Sequence, residues 1–127
     1  MRLEKHKDKR GVIEDLYVGK DFSVTRITFK KGAVRGNHYH KKTTQIDILK
    51  SGKLKSFAKG EMFKLWGNDV GYFETNVLNH KQAILHKPGM GHAYKALKDS
   101  EMISICIGKR IGKNYSKDTY KLKIPLV

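Results

Sequence analysis

Gly32-Ala33-Val34-Arg35-Gly36-Asn37-His38-Tyr39-His40-Lys41-Lys42-Thr43-Thr44-Gln45, closed seven residues later by Gly52, is the stretch of this chain that decides its fold. Side chains at i and i+2 on a strand point to one face, so His38 and His40 would both turn into the interior of a barrel while Tyr39 faces away. A second stretch, Leu85-His86-Lys87-Pro88-Gly89-Met90-Gly91-His92-Ala93-Tyr94, offers a third histidine just after a glycine turn. If His92 starts a strand, Tyr94 lies on its face. The direction of His86 is obscured by the Pro88-Gly89 turn that follows it.

The residues around these stretches read as short strands. Segments 11–18, 22–29, 45–49, 53–57, 71–75, 82–86, 92–97 and 102–107 are rich in β-branched and aromatic residues, with turn signals at Gly19-Lys20-Asp21, Lys31-Gly32, Ser51-Gly52 and Pro88-Gly89. Val24-Thr25-Arg26-Ile27-Thr28-Phe29 alternates as a strand with one buried face does, although the pattern leaves open which face carries Arg26. No long amphipathic helix, internal repeat or low-complexity linker interrupts this pattern, so we expect one all-β domain over residues 1–127.

The two histidine stretches, with their spacing of Gly32, His38, His40, Gly52, Gly89 and His92, resemble the two signatures of the cupins. Gln45 stands where the usual fourth ligand is glutamate. Lys81, Lys87 and Ala96 depart from the second signature, and Pro88 stands beside its usual proline position. The resemblance implies an antiparallel β-barrel or jelly roll with His38, His40 and His92 in its interior.

Three neutral imidazoles can ligate Fe, Zn, Mn, Ni or Cu and leave positions open for substrate or water. An amide oxygen is a weaker donor than a carboxylate, so Gln45 tilts the expectation towards metal-free acid–base chemistry, for which imidazole suits a working pH near neutrality. Phe22-Ser23-Val24-Thr25-Arg26 and the run from Arg35 to Gln45 resemble the small cupins that act as nucleoside-diphosphate-4-keto-6-deoxyhexose 3,4-ketoisomerases and, more distantly, the related 3,5-epimerases. That resemblance implies a dTDP- or other nucleotide-linked keto-deoxysugar substrate and no cofactor. His38 and His40 would transfer protons, with Tyr94 as a further donor or acid. Arg26 and Arg35 would clamp the diphosphate, and Gln45, Lys42 and His92 would complete the substrate site. Two other readings stay open. One is a metal enzyme, an oxygenase or metal-assisted isomerase or lyase, with His38, His40 and His92 on Fe, Zn, Mn or Ni. The other is a non-catalytic barrel that binds an anionic sugar or nucleic acid.

The balance of 27 Lys and Arg against 12 Asp and Glu gives a formal charge of +15. The lysines are spread along the chain, and no recognition-helix, zinc-finger or RNP-like pattern accompanies them, which argues against nucleic acid. A basic rim serves a phosphorylated ligand equally well. The lone Cys106 excludes an intrachain disulfide and sits in an apolar run. The polar N-terminus has no signal-peptide core, and no apolar run approaches the roughly 20 residues of a membrane span, so a cytoplasmic protein without a membrane partner is expected. Trp66 and Tyr72 are candidates for stacking on a base or sugar, or for packing. We expect a homodimer, because pairing covers exposed edge strands.

Overall fold

The computed structural model describes residues 2–65, 68–108 and 116–127, with side chains described outside 61–72 and Ser116. Among the described residues, eleven strands run in the order β1 (Lys5–Asp8), β2 (Gly11–Val18), β3 (Phe22–Phe29), β4 (Val34–Tyr39), β5 (Thr44–Ser51), β6 (Leu54–Leu65), β7 (Asn68–Leu78), β8 (Ala83–His86), β9 (Gly91–Ala96), β10 (Ser100–Ile107) and β11 (Tyr120–Lys121). They form two antiparallel sheets, β1-β2-β3-β10-β5-β8 and β11-β4-β9-β6-β7. The all-β expectation is met. The interior is enclosed between two sheets and not by a closed ring of strands.

Period-two alternation sets the inner face. Along β5 the buried residues are Gln45, Asp47 and Leu49, and along β10 they are Ser100, Met102, Ser104 and Cys106. The register pairs Leu49 with Met102, Asp47 with Ser104 and Gln45 with Cys106. One end of the interior is therefore apolar. There Leu49 and Met102 join Phe29, Leu54, Leu78, Tyr94 and Ala96 in a single core cluster. The other end is polar, and the histidines gather there.

β4 carries the device that aims the site. Its ladder with β9 pairs Arg35 with Tyr94 and Gly36 with Ala93, then skips Asn37 and pairs His38 with His92. Residues 35 and 38 would face opposite ways on a regular strand, and the extra residue brings both to the same cavity. The bulge is built from Gly36 (φ 98°) and Asn37 (φ 58°). A Cβ on Gly36 would lie 2.8 Å from the His92 carbonyl oxygen and 2.9 Å from the Ala93 Cα, both backbone atoms of the paired strand. Gly36→Ala is therefore expected to cost about 2 kcal/mol or more and to lower Tm by roughly 5–10 °C in thermal unfolding. An unchanged Tm would mean that the β4–β9 pairing gives way without strain.

Two strands, β1 and β11, were hidden from the sequence reading, and β4, the strand expected to carry both His38 and His40, ends at Tyr39. The expected strands at 53–57 and 71–75 are parts of a longer hairpin, Leu54–Leu65 with Asn68–Leu78. The Trp66 and Tyr72 expectations fall outside the described side chains. No helix among the described residues is long and apolar enough to cross a membrane.

Candidate functional site

His38 leaves the β4 bulge, His40 follows the end of β4, and His92 lies opposite His38 on β9. One ring nitrogen from each lies within 4.8 Å of the others. The ring centroids are 4.6 Å apart for His38 and His92, 5.0 Å for His38 and His40, and 5.4 Å for His40 and His92. The Nε2 atoms of His38 and His92 are buried and have no hydrogen-bond partner among the described residues. Buried polar atoms are seldom left so, and two in one cluster mark a place where something else binds. Burial, and next the neighbouring His40, push the His38 pKa down to about 4. Burial, with His86 beside it, holds His92 well below the ordinary histidine value. Both rings are neutral near pH 7, the form that ligates a metal.

His40 and Gln45 supply the second sign. Nδ1 of His40 lies 2.9 Å from the Asp118 main-chain oxygen, and Nε2 lies 3.1 Å from Oε1 of Gln45. The Gln45 amide cannot turn round, because its Nε2 donates to both carboxylate oxygens of Asp47 at 3.0 and 2.9 Å. The Gln45 oxygen is therefore held facing Nε2 of His40, and the role of that nitrogen, donor or acceptor, follows the tautomer of the ring. The donor set of three imidazoles and one amide oxygen fits a divalent transition metal.

Asp47 organises the surroundings. It is fully buried and accepts, besides Gln45, the Tyr94 hydroxyl at 2.5 Å, with His86 Nε2 at 3.2 Å. His86 Nε2 also lies 2.6 Å from the Tyr94 hydroxyl oxygen. Burial opposes the charge on Asp47, but hydrogen bonds from His86 and Tyr94 outweigh it and hold the carboxyl below its usual value. Burial, followed by the Asp47 charge, pushes the Tyr94 phenol well up, so it keeps its proton. The His86 ring stacks on His92 with centroids 4.2 Å apart and planes 17° apart, which fixes the His92 ring. Sequence reading missed Asp47, though i+2 from Gln45 on a strand was signal enough. It left His86 undirected and gave no hint of Asp118, which reaches the site from beyond residue 115.

His38, His92, Gln45 and Tyr94 share with Arg10 and Arg35 a cavity of about 600 Å³. Arg35 is 7% exposed. Its Nη2 donates to the Thr28 carbonyl at 3.2 Å, its guanidinium sits 5.5 Å from the Phe29 ring centroid, and its Nε is buried without a partner. Asp8 is 4.0 Å away but is held at 2.7 and 3.1 Å by Arg10. Arg35 is thus a buried cation that protein groups neutralise only in part.

Two expected site residues lie elsewhere. Arg26 points to the outer face of the six-stranded sheet, where it binds Glu101 and, at 3.3 Å, Glu14. The cavity is lined from β3 by the odd-numbered Ser23, Thr25, Ile27 and Phe29, so an even-numbered neighbour cannot reach it. Lys42 sits exposed in the turn after β4, outside the cavity, and its backbone N–H donates to Asp118 at 3.0 Å.

No protein-family model matches the chain, and no curated protein matches it. Among solved structures it is similar to the capsular polysaccharide assembling protein CapF from Staphylococcus aureus, with a TM-score of 0.75 and 21% identity over 98% of this chain and 33% of that one. It is also similar to a variant of oxalate decarboxylase from Bacillus subtilis, with a TM-score of 0.77 and 16% identity over 94% of this chain and 30% of that one. KdgF from Halomonas sp. matches with a TM-score of 0.64 and 20% identity over 84% of this chain and 89% of that one. The fold is therefore that of the cupins. The chain spans about a third of the length of the first two proteins.

Proposed function

We propose that this cupin is a divalent-metal-dependent enzyme that moves a proton next to the carbonyl of an anionic sugar derivative, an isomerase- or epimerase-type reaction. The observation that carries the reading is the gathering of the unpartnered imidazole nitrogens of His38 and His92 with His40, beside the Gln45 oxygen. His38, His40, His92 and Oε1 of Gln45 would hold Zn, Ni, Fe or Mn, and a bound divalent ion supplies Lewis-acid polarisation of a carbonyl oxygen. Because glutamine replaces the usual carboxylate, the four donors bring no negative charge to the site. A carbonyl oxygen that gains negative charge is stabilised correspondingly more.

The other roles follow from placement. Arg35 binds an anionic group of the substrate, for which its Nε donor is free and its burial limits screening. Tyr94 lines the cavity with its hydroxyl held by Asp47 and His86, and as a protonated phenol it would serve as a proton donor. A nucleotide-linked keto-deoxysugar is the substrate that the run from Arg35 to Gln45 favours, with Arg35 on the diphosphate. Arg35→Met is expected to raise KM about 10–100-fold with a much smaller change in kcat. An unchanged KM would remove Arg35 from the binding site.

A metal-free reaction is the second reading, and the neutral, unpartnered Nε2 of His38 favours it as a proton acceptor. Solvent-deuterium exchange at the carbon beside the ketone of a nucleotide-linked 4-keto-6-deoxyhexose separates the two. Exchange abolished by exhaustive chelation and restored by added metal supports the metal-dependent enzyme. Exchange that survives chelation supports the second reading, and no exchange in either state overturns both.

A further inference from the structure

Of the three clustered histidines, His40 alone lies outside strand pairing. β4 ends at Tyr39, and its ladder with β9 stops at the His38–His92 pair. The main chain of His40 is tied through its carbonyl, which accepts from the Gly89 amide. Its ring is met by a segment from much later in the chain. β11 runs antiparallel to β4, with Tyr120 opposite Tyr39 and Lys121 opposite His38, and the same register carries Asp118 alongside the turn after His40. The Tyr39 and Tyr120 rings stack with centroids 5.3 Å apart and hold the two segments together.

Asp118 engages this turn through both its side chain and its main chain. The carboxylate accepts from the Lys41 and Lys42 amides at 3.1 and 3.0 Å and from the Thr43 hydroxyl at 2.7 Å. The main-chain oxygen lies 2.9 Å from Nδ1 of His40. A carbonyl oxygen only accepts, so this bond forms only when Nδ1 carries the ring proton. The Thr119 hydroxyl can take either role towards the same nitrogen, but it is farther away, at 3.4 Å. A neutral imidazole protonated on Nδ1 is unprotonated on Nε2, the nitrogen beside Gln45.

We propose that Asp118 is the positioning residue for His40. Its carboxylate grips the turn over residues 41–43, its main-chain oxygen keeps the ring proton on Nδ1, and Nε2 is thereby offered as a donor. The role in metal loading rests on the metal reading above. Carbonyl partners of this kind fix the tautomer and orientation of ligating histidines, and losing one typically weakens metal binding about 10–100-fold. The segment over residues 116–121 is then part of the site, although it lies more than 70 residues from His40 in sequence.

Asp118→Ala keeps the main-chain oxygen but removes the grip that places it. Long-range proton–nitrogen NMR of the metal-free, untagged chain at mildly alkaline pH reads the ring directly. The wild type should carry the His40 proton on Nδ1, and the variant should show a mixture of tautomers. Competition with a chromophoric chelator should show the Kd for Zn rising about 10–100-fold in the variant. If Asp118→Ala does not fold, Thr43→Val keeps the β-branched shape, removes one of the three bonds to the carboxylate and should still raise that Kd about threefold or more. A folded variant that loses stability with its ring proton and Zn affinity unchanged would make Asp118 purely structural and overturn the proposal. So would a metal-free wild type with the proton on Nε2. A wild type that takes up no Zn, Mn, Ni or Fe(II) would contradict the metal reading instead, and the ring proton would still decide the part played by Asp118.

Discussion

His92→Ala is expected to strip the protein of its divalent metal. The content of untagged protein should fall from about one ion per chain to under about a tenth, and turnover should fall at least roughly a thousandfold. In the proposed site His92 would contribute one of four donors, and its Nε2 has no partner among the described residues. Its ring is 1% exposed and clamped by the stack with His86. Metal that binds only the folded state raises Tm by mass action. Chelation should therefore lower the Tm of the wild type and leave that of the variant unchanged. A variant that kept its metal would place the ion away from His92 and disprove the assignment.

Asp47→Asn is expected to cost about 2–4 kcal/mol of stability and to weaken metal binding about 10–100-fold, although Asp47 is not itself a ligand. The carboxylate receives the Gln45 amide on both oxygens and the Tyr94 hydroxyl on Oδ2. An asparagine turns one of those acceptors into a donor. Whichever way it is placed, an N–H group then faces the Gln45 amide or the Tyr94 hydroxyl inside a fully buried site. The Gln45 amide also loses what stops it rotating, so its oxygen need no longer face His40. Isothermal titration with Zn or Mn, together with chemical denaturation, measures the two effects separately. Lost stability with unchanged metal affinity would show that Asp47 supports the core without orienting Gln45.

His38, His40, Gln45 and His92 were legible in the sequence because a strand's period of two and a frame of glycines fix their spacing before any tertiary contact is known. Gly52 shows the physical basis of that frame. It adopts φ 91°, and a Cβ there would meet the Asp99 carbonyl oxygen at 2.4 Å. What the sequence could not yield depended on faces and on distant contacts. The alternation in β3 was clear, but only the sheet pairing shows that Arg26 faces out to Glu14 and Glu101. Arg35 reaches the cavity only because Asn37 is an extra residue in β4, and a bulge of this kind shifts parity without a hydrophobic signature. Asp118 binds the turn after His40 through the Lys41 and Lys42 amides and the Thr43 hydroxyl, across more than 70 residues of chain. Gln45 itself was read as evidence against metal on donor strength alone. In the structure Asp47 fixes the amide with its oxygen towards His40, a placement that suits a fourth donor beside the three histidines.

The central claim is that three histidines and one glutamine together hold a divalent metal. X-ray absorption at the metal K-edge of untagged protein, with the metal counted by elemental analysis, tests it most directly. The account predicts about one ion per chain, with three imidazoles and oxygen donors at roughly 2.0–2.2 Å. A well-folded protein that took up no Zn, Mn, Ni or Fe(II) on dialysis, or an ion with fewer than three imidazole neighbours, would contradict it.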